Sequence, residues 1–172
     1  MTATDRPADD LHTIDVWLAG HAPASHGALR PGLDKTDLAT LESGYGFDLH
    51  PELRALLTWH NGCERVDQGF DIWPDFMFEN SADLLERSRG PHHRWSPHWV
   101  PIASDLGLNM LVVDHRTPSG EVRLYDGVDG PRDNPVSPSI GSLMAQVSHA
   151  LTNGVRIEGR MPTVKDGYLI WE

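Results

Sequence analysis

The sequence predicts an α+β fold, with a single mixed or antiparallel sheet and helices packed around it. Apolar residues recur at helical spacing through the first half of the chain and again over residues 139–154. Between Trp99 and Tyr125 the pattern changes to short apolar or alternating runs separated by turn residues. These runs indicate an antiparallel meander rather than repeated βαβ units, which places the chain in the α+β class.

The first half of the chain is expected to be mainly helical. We predict a helix from a cap at Asp9 or Asp10 to His21, a short one after Asp34 that ends near residues 44–46, one that starts at Pro51 and exits at Asn61-Gly62, and one capped by Ser81. Met1 to Ala8 is expected to be a flexible tail, and Ala22 to Gly32, with two Pro and two Gly, is expected to be a linker. We expect one domain over residues 9–172.

The second half is expected to supply the sheet and one long helix. The predicted strands are Trp99–Ala103, Met110–Val113, Glu121–Tyr125, Val155–Glu158 and Tyr168–Trp171. Residues 117–120 and Asp166-Gly167 are expected to form turns. A long loop over Asp126–Pro138 leads to a helix that Ser139 caps and Asn153-Gly154 closes.

Four ordered segments resemble the SUKH superfamily. They are Leu49–Gly62, Trp99–Asp105 with Asn109 and Asp114 after it, Leu124–Asp126, and Asp166–Glu172. The resemblance is strongest over 34–172 and is closest to the branch that contains the yeast cell-wall assembly regulator and many bacterial proteins. It implies a SUKH-like fold and a protein-binding module. Many bacterial members look like immunity proteins that neutralise toxins, often nucleases, and the yeast member looks like a regulator that works through partners.

The charge of the chain favours one class of partner. The 14 Lys and Arg are outnumbered by 25 Asp and Glu, so the formal net charge is −11. Such a surface repels nucleic-acid phosphates and anionic lipid, and it attracts basic proteins. Acidity that serves only solubility is an equally good reading. No apolar run could span a bilayer and the first residues do not resemble a signal peptide, so we expect a cytoplasmic protein with neither a nucleic-acid nor a membrane partner.

Motifs for catalysis, metal binding or cofactors are missing from the sequence, so we expect neither an enzyme nor a cofactor. Cys63 is the only cysteine and is expected to be a buried or incidental thiol. His92, His93 and His98 lie in an irregular segment that does not direct ligands to one metal. Residues 126–130 do not have the alternating carboxylates of a calcium loop.

The candidate partner-binding residues fall into three groups. They are Asp126, Asp129 and Asp133 on one surface; Trp73, Asp75 and Trp95 in a second patch; and Asp105 with Asn109 beside a predicted turn. The last pair either presents acceptors to a basic partner or fixes the turn by side-chain hydrogen bonds, and the second reading is favoured. The leading hypothesis is an immunity protein that binds a basic toxin one-to-one. A regulatory scaffold with several partners is the alternative, and a hydrolase is third.

Overall fold

The computed structural model describes residues 6–64 and 68–172. Within these residues the helices are α1 (Arg6–His21), α2 (Pro23–Ala28), α3 (Lys35–Tyr45), α4 (Pro51–Trp59), α5 (Ser81–Ser88) and α6 (Ile140–Asn153). The strands are β1 (Leu29–Pro31), β2 (His60–Cys63), β3 (Asp71–Trp73), β4 (Phe76–Phe78), β5 (Trp99–Ser104), β6 (Met110–Asp114), β7 (Glu121–Asp126), β8 (Gly130–Pro131), β9 (Pro162–Lys165) and β10 (Tyr168–Trp171).

The main sheet has six strands in the order β3-β4-β5-β6-β7-β8, so each strand pairs with its neighbour along the chain. All these pairs are antiparallel. Two further antiparallel pairs, β1 with β2 and β9 with β10, lie outside this sheet. The predicted α+β fold with an antiparallel meander is therefore confirmed.

The main sheet is buried on both faces at its centre. Every residue of β6 is buried, as its continuous apolar run predicts. Leu111 and Val113 belong to the main core, with side chains from all six helices, α5 contributing the half-buried Leu85. Met110 and Val112 belong to a smaller cluster on the other face, with Trp99 and Tyr125. Helix α1 packs against α6 and α4.

The ends of two helices match their sequence signals. The Asp34 side chain accepts a hydrogen bond from the Asp37 amide at 2.8 Å, and α3 ends at Gly46 in a left-handed conformation. The Ser139 hydroxyl accepts from the Ser142 amide at 3.1 Å, and α6 ends at Gly154 in the same way. Both helices therefore end where local capping chemistry places them.

The N-terminal segment is more ordered than the sequence indicates. Helix α1 begins at Arg6 rather than at a cap at Asp9 or Asp10, because Pro7 is well suited to a first helical turn. The rest of the predicted tail, residues 1–5, lies outside the described residues. The predicted linker Ala22–Gly32 instead forms α2 and β1. Ser25 fixes this segment, since its buried hydroxyl donates to the Gly69 carbonyl and accepts from the Leu169 amide, both at 2.9 Å.

The predicted helix exit at Asn61-Gly62 is wrong. Helix α4 ends at Trp59, and His60 is already extended and starts β2. Gly62 does have a left-handed conformation, with φ of +72°. A β-carbon there would lie 2.1 Å from the Glu79 carbonyl carbon, so glycine allows β2 to approach the chain at the end of β4.

The N-terminus of α5 is capped by Asn80 and not by the predicted Ser81. The Asn80 side chain accepts from the Ala82 amide at 2.9 Å. The Ser81 amide is bound by the Asn61 side chain at 3.0 Å, so a distant residue supplies that bond. The helix consequently starts at Ser81, one residue after its Asn80 cap.

Three short strands lie in segments without a predicted strand, and a fourth is displaced from its predicted position. β3 and β4 form a hairpin around Pro74 and Asp75, and β8 lies within the predicted loop Asp126–Pro138. The predicted strand Val155–Glu158 contains only an isolated bridge from Ile157 to Arg160. The partner of β10 is β9, joined to it through the predicted turn at Asp166-Gly167.

Candidate functional site

Three turns of the main sheet lie at the same end. Met77 of β4 pairs with Ser104 of β5, Ser104 pairs with Met110 of β6, and Met110 pairs with Tyr125 of β7. The turns β3–β4, β5–β6 and β7–β8 therefore project together. We call these residues, 74–75, 105–109 and 126–129, the turn end of the sheet.

Hydrogen bonds fasten two of these turns to each other. One oxygen of Asp105 accepts from the amides of Gly107 at 2.8 Å and Asn109 at 3.2 Å, and the other accepts from the Asn109 side chain at 2.8 Å. The Asn109 side-chain oxygen then accepts from the Gly127 amide at 3.1 Å. A β-carbon on Gly127 would lie 2.3 Å from the β-carbon of Leu108, so glycine is needed for this approach. The geometry supports the reading in which Asp105 and Asn109 fix the turn.

Asp126 organises the β7–β8 turn in a similar way. One of its oxygens accepts from the amides of Val128 at 2.9 Å and Asp129 at 3.1 Å. These backbone hydrogen bonds lower the pKa of the Asp126 carboxyl below its ordinary value of 3.8. Asp126 is therefore charged and held in place at neutral pH.

The turn end also carries exposed apolar side chains. Leu106 is 48 % exposed, Leu108 67 % and Val128 75 %. In the described part of the chain six large apolar residues are exposed, and these are three of them. Leu106 has a φ of +61°, which is uncommon for a residue with a branched side chain. Two leucines in a polar turn, Asp105-Leu106-Gly107-Leu108-Asn109, are a sequence signal that could have pointed to this patch.

Carboxylates surround the exposed apolar side chains. Asp105 and Asp129 are exposed, and no ion pair joins either to a Lys or Arg within the described ranges. The Asp75 side chain is 60 % exposed and pairs with Arg160 at 3.1 Å, and Asp126 lies 3.8 Å from Arg132. Three of the five predicted aspartates, Asp75, Asp105 and Asp126, thus keep structural partners, while Asp129 points to solvent. Asp133 is exposed beyond β8, where its carbonyl accepts from Arg123 near the middle of β7, so it lies away from the turn end.

A cleft of about 230 Å³ adjoins the turn end. Its lining includes Asp71, Asp75, Asp105, Leu106 and Met77. Burial, with a further contribution from Asp75, raises the pKa of the Asp71 carboxyl to about 6 from 3.8. Sequence reasoning missed Asp71, because nothing local shows that the start of β3 faces two other carboxylates.

Ser104, which lines this cleft, contacts the largely buried ion pair of Glu79 and Arg87. Glu79 is 3 % exposed, and Arg87 donates to both of its carboxylate oxygens, at 3.3 and 3.0 Å. Ser104 donates to Glu79, and its hydroxyl also accepts from the Leu106 amide at 3.0 Å. Ser104 therefore connects a rigid buried pair to the turn that presents Leu106.

Trp73, one of the predicted partner-binding residues, is packed rather than exposed. Trp73 is 4 % exposed and belongs to the main core, because it lies in β3 rather than in a loop. Trp95 is half-buried on the other face of the sheet, with ring centroids 5.6 Å from Trp99 and 4.9 Å from Tyr125. Trp73, Asp75 and Trp95 consequently do not form one patch.

Asp114 lies at the opposite end of β6 and has a structural environment. It is 2 % exposed and forms ion pairs with Arg116 at 2.7 Å and Arg123 at 3.6 Å. Burial alone would raise the pKa of the Asp114 carboxyl, but the hydrogen bonds from Arg116 outweigh it and bring the pKa to about 2. The Asp114 charge is therefore paired within the protein by Arg116 and Arg123.

The other reactive side chains have ordinary structural environments. Cys63 is buried, and burial raises the pKa of its thiol to about 12. A ring nitrogen of His92 lies 2.7 Å from the Arg87 carbonyl oxygen. Over residues 6–64 and 68–172, no three His, Cys, Asp or Glu side chains are grouped so that they could hold a metal ion.

Comparisons with known proteins identify the family. None of the described helices is both long and apolar enough to cross a membrane. A comparison with curated proteins gives no match. The family described as SMI1 / KNR4 family (SUKH-1) matches residues 32–146, more than half of the chain, and these residues include the whole turn end. The match confirms the SUKH resemblance, and the chain belongs to the SMI1/KNR4 family (SUKH-1).

Proposed function

We propose that this protein is an immunity protein that neutralises a basic toxin by one-to-one binding through the turn end. Family membership supports an immunity or regulatory module in general. SUKH domains are generally non-catalytic, and the proposal accordingly assigns binding and no reaction. The observation that carries it is the group of exposed Leu106, Leu108 and Val128 among carboxylates.

The apolar centre of this surface would supply most of the binding free energy. Each exposed aliphatic side chain that a partner covers loses contact with water, which stabilises a complex by about 25 cal/mol for each Å² of apolar surface. The turns are fixed by the hydrogen bonds of Asp105, Asn109 and Asp126, so little conformational entropy remains to be lost on binding. A preorganised apolar patch of this kind suits a tight complex.

The surrounding carboxylates would select the partner. Asp105 and Asp129 place negative charge beside the apolar centre, and the whole chain has a net charge of −11. A partner with Lys and Arg around an apolar depression would be attracted and oriented by this charge. An acidic partner would be repelled, and this repulsion is part of the specificity.

The test is affinity purification from the native host with three baits: the wild type, Val128→Asp and Val16→Asp. Val16→Asp is the matched control, because it makes the same substitution at another exposed valine. Val16 is 57 % exposed on α1 and lies away from the turn end. We expect one basic protein to co-purify in equal amount with the wild type and with Val16→Asp. Val128→Asp should retain less than about a tenth of it, since a charge is placed in the apolar contact.

The recovered partner then decides between the two roles of the family. An immunity protein should form an equimolar complex with it and abolish its toxicity on co-expression, and Val128→Asp should restore the toxicity. Several partners in small amounts would instead identify a regulatory scaffold. Equal recovery with Val128→Asp and the wild type would contradict the proposed surface.

A further inference from the structure

A second cavity lies on another side of the molecule, between α1, α2, α4 and β2. It has a volume of about 680 Å³, roughly three times that of the cleft at the turn end. Its apolar lining comprises Ala8, Leu11, Ala55 and Trp59, and its polar lining comprises His12, Asp15, His26, Thr58 and His60. A concave, mainly apolar site with a few convergent polar groups is typical of small-molecule binding.

Among the described residues, Asp15 is the only carboxylate in this lining, and two histidines contact it. One of its oxygens, Oδ1, lies 3.2 Å from Nε2 of His26 and 3.2 Å from Nε2 of His60. The other nitrogen of His60 lies 2.7 Å from the Arg30 carbonyl oxygen, which fixes the ring. Oδ2 of Asp15 forms no hydrogen bond with the described residues, and the side chain is 35 % exposed. The carboxylate is therefore oriented while one oxygen stays available.

The Asp15 carboxyl is ionised at neutral pH. Burial would raise its pKa, but the hydrogen bonds from His60 and His26 outweigh burial and lower the pKa below 3.8. This ionised carboxylate is the only one among the described residues that line the cavity, and it favours a cationic ligand over an anionic one.

Trp59 provides a rigid aromatic wall next to this charge. Its ring stacks on Phe78 with centroids 6.4 Å apart and meets Phe70 edge-on at 6.3 Å, and it remains half-buried. An aromatic face and a carboxylate together are a common means of binding organic ammonium groups, through cation–π attraction and charge. Leu11 and Ala55 can contact the apolar substituents of such a compound.

We propose that this cavity binds a small organic ammonium compound, with its cationic group between the Asp15 carboxylate and the Trp59 ring. The site is separate from the turn end, and it does not depend on the proposed role in toxin neutralisation. Asp15 and His26 precede residue 32, where the family match begins, so the site is built partly by the N-terminal segment of this chain.

The test uses choline and 3,3-dimethyl-1-butanol, which has nearly the same shape without the charge. Binding to the purified full chain is measured at pH 8 by calorimetry and by the NMR signal of the Trp59 indole. Choline should bind with a Kd of about 1 mM or tighter and shift that signal. The uncharged compound should bind at least about tenfold more weakly.

Two variants locate the cation. Asp15→Asn keeps an oxygen that can accept from both histidines but removes the charge, so choline affinity should fall at least about tenfold. Asp9→Asn has the same net charge and changes an exposed residue of the same helix, so its affinity should match the wild type. If Asp15→Asn does not fold, the comparison of the two compounds on the wild type still decides.

Three results would overturn the proposal. Equal affinity for the two compounds would mean an apolar cavity without cation recognition. Wild-type affinity in Asp15→Asn would place the cation elsewhere. No change of the Trp59 signal at about 50 mM choline, far above the expected Kd, would mean that the cavity binds no ammonium compound. None of these results bears on toxin binding, which is measured with a different partner and different variants.

Discussion

At the scale of single residues, Asp71 has the least favourable environment for a carboxylate in the candidate site. It lies at the start of β3, where burial and the neighbouring Asp75 raise its pKa to about 6 from 3.8. An ionised carboxyl with a raised pKa destabilises the folded state, because the folded chain holds the proton more tightly than the unfolded chain. Perturbed carboxyls of this kind are more frequent at functional sites than elsewhere.

Replacing this carboxyl should therefore stabilise the protein. We expect Asp71→Asn to raise the free energy of unfolding by about 1–3 kcal/mol at pH 7. The folded-state pKa is above the unfolded one, so the destabilisation by Asp71 is absent below about pH 4, grows as the pH rises, and is complete above about pH 6. Urea unfolding of both proteins between pH 4 and 8 measures this difference.

A matched variant tests whether the neighbour contributes. Asp75→Asn removes the charge that adds to burial, so it should lower the pKa of Asp71 and recover a smaller part of the stability. It also breaks the ion pair with Arg160, but that pair is exposed and contributes little. A stability difference between Asp71→Asn and the wild type that does not change between pH 4 and 8 would contradict the explanation.

At the scale of elements, the N-terminus of α5 shows how a distant contact decides between two local signals. Asn80 and Ser81 are both good caps, and the structure uses Asn80 while the Asn61 side chain binds the Ser81 amide. Asn80→Ala should lower the free energy of unfolding by about 1 kcal/mol, since the Ala82 amide loses its acceptor. Ser81→Ala should lower it by less than about 0.5 kcal/mol.

Thermal or urea unfolding of these two variants checks the assignment. Each variant removes one small polar side chain from the same helix end, so the pair controls for composition. A larger loss in Ser81→Ala than in Asn80→Ala would mean that the helix starts at the residue the sequence pattern indicates. The expected order follows from hydrogen bonds that only the folded chain shows.

Elements with local signals could be predicted, and elements that depend on distant partners could not. α6 has its own cap, apolar stripe and closing Gly154, and β6 is a continuous apolar run, so the predictions of both elements are correct. β3 and β4 have three residues each around Pro74 and Asp75, so the sequence resembles a loop. β1 exists because it pairs with β2 across a separation of about 30 residues. Such pairings leave no local pattern.

At the scale of the whole molecule, the sheet register explains which of the predicted site residues lie together. The sequence places Asp105 and Asn109 beside a turn and Asp126 and Asp129 in a loop. An antiparallel meander brings alternate turns, together with Asp75, to one end of the sheet. Trp73 is predicted as a partner-binding residue and is buried, because burial depends on what packs over a strand. The exposed leucines, Asp71 and the cavity near Asp15 were missed for the same reason: exposure and convergence are three-dimensional properties.

The net charge of −11 makes the salt dependence of association the most direct test at this scale. Attraction between an acidic surface and a basic partner increases the association rate constant, and dissolved salt screens it over about 10 Å at 0.1 M. For the partner recovered from the host, we expect this rate constant to fall at least about tenfold between about 50 and 500 mM NaCl. The dissociation rate constant should change much less, since short-range apolar contacts control it.

Local and overall charge can be separated with two double variants of equal net charge. Asp75→Asn with Asp129→Asn removes charge at the turn end, and Asp37→Asn with Asp83→Asn removes it from exposed positions on α3 and α5. Stopped-flow measurements should show slower association and a weaker salt dependence for the first pair than for the second. Charge near the contact lies within the screening distance of the partner, whereas the effect of charge farther away is largely screened by salt. Equal effects of the two pairs would mean that only total charge steers the partner, and a rate constant independent of salt would remove electrostatic steering from the mechanism.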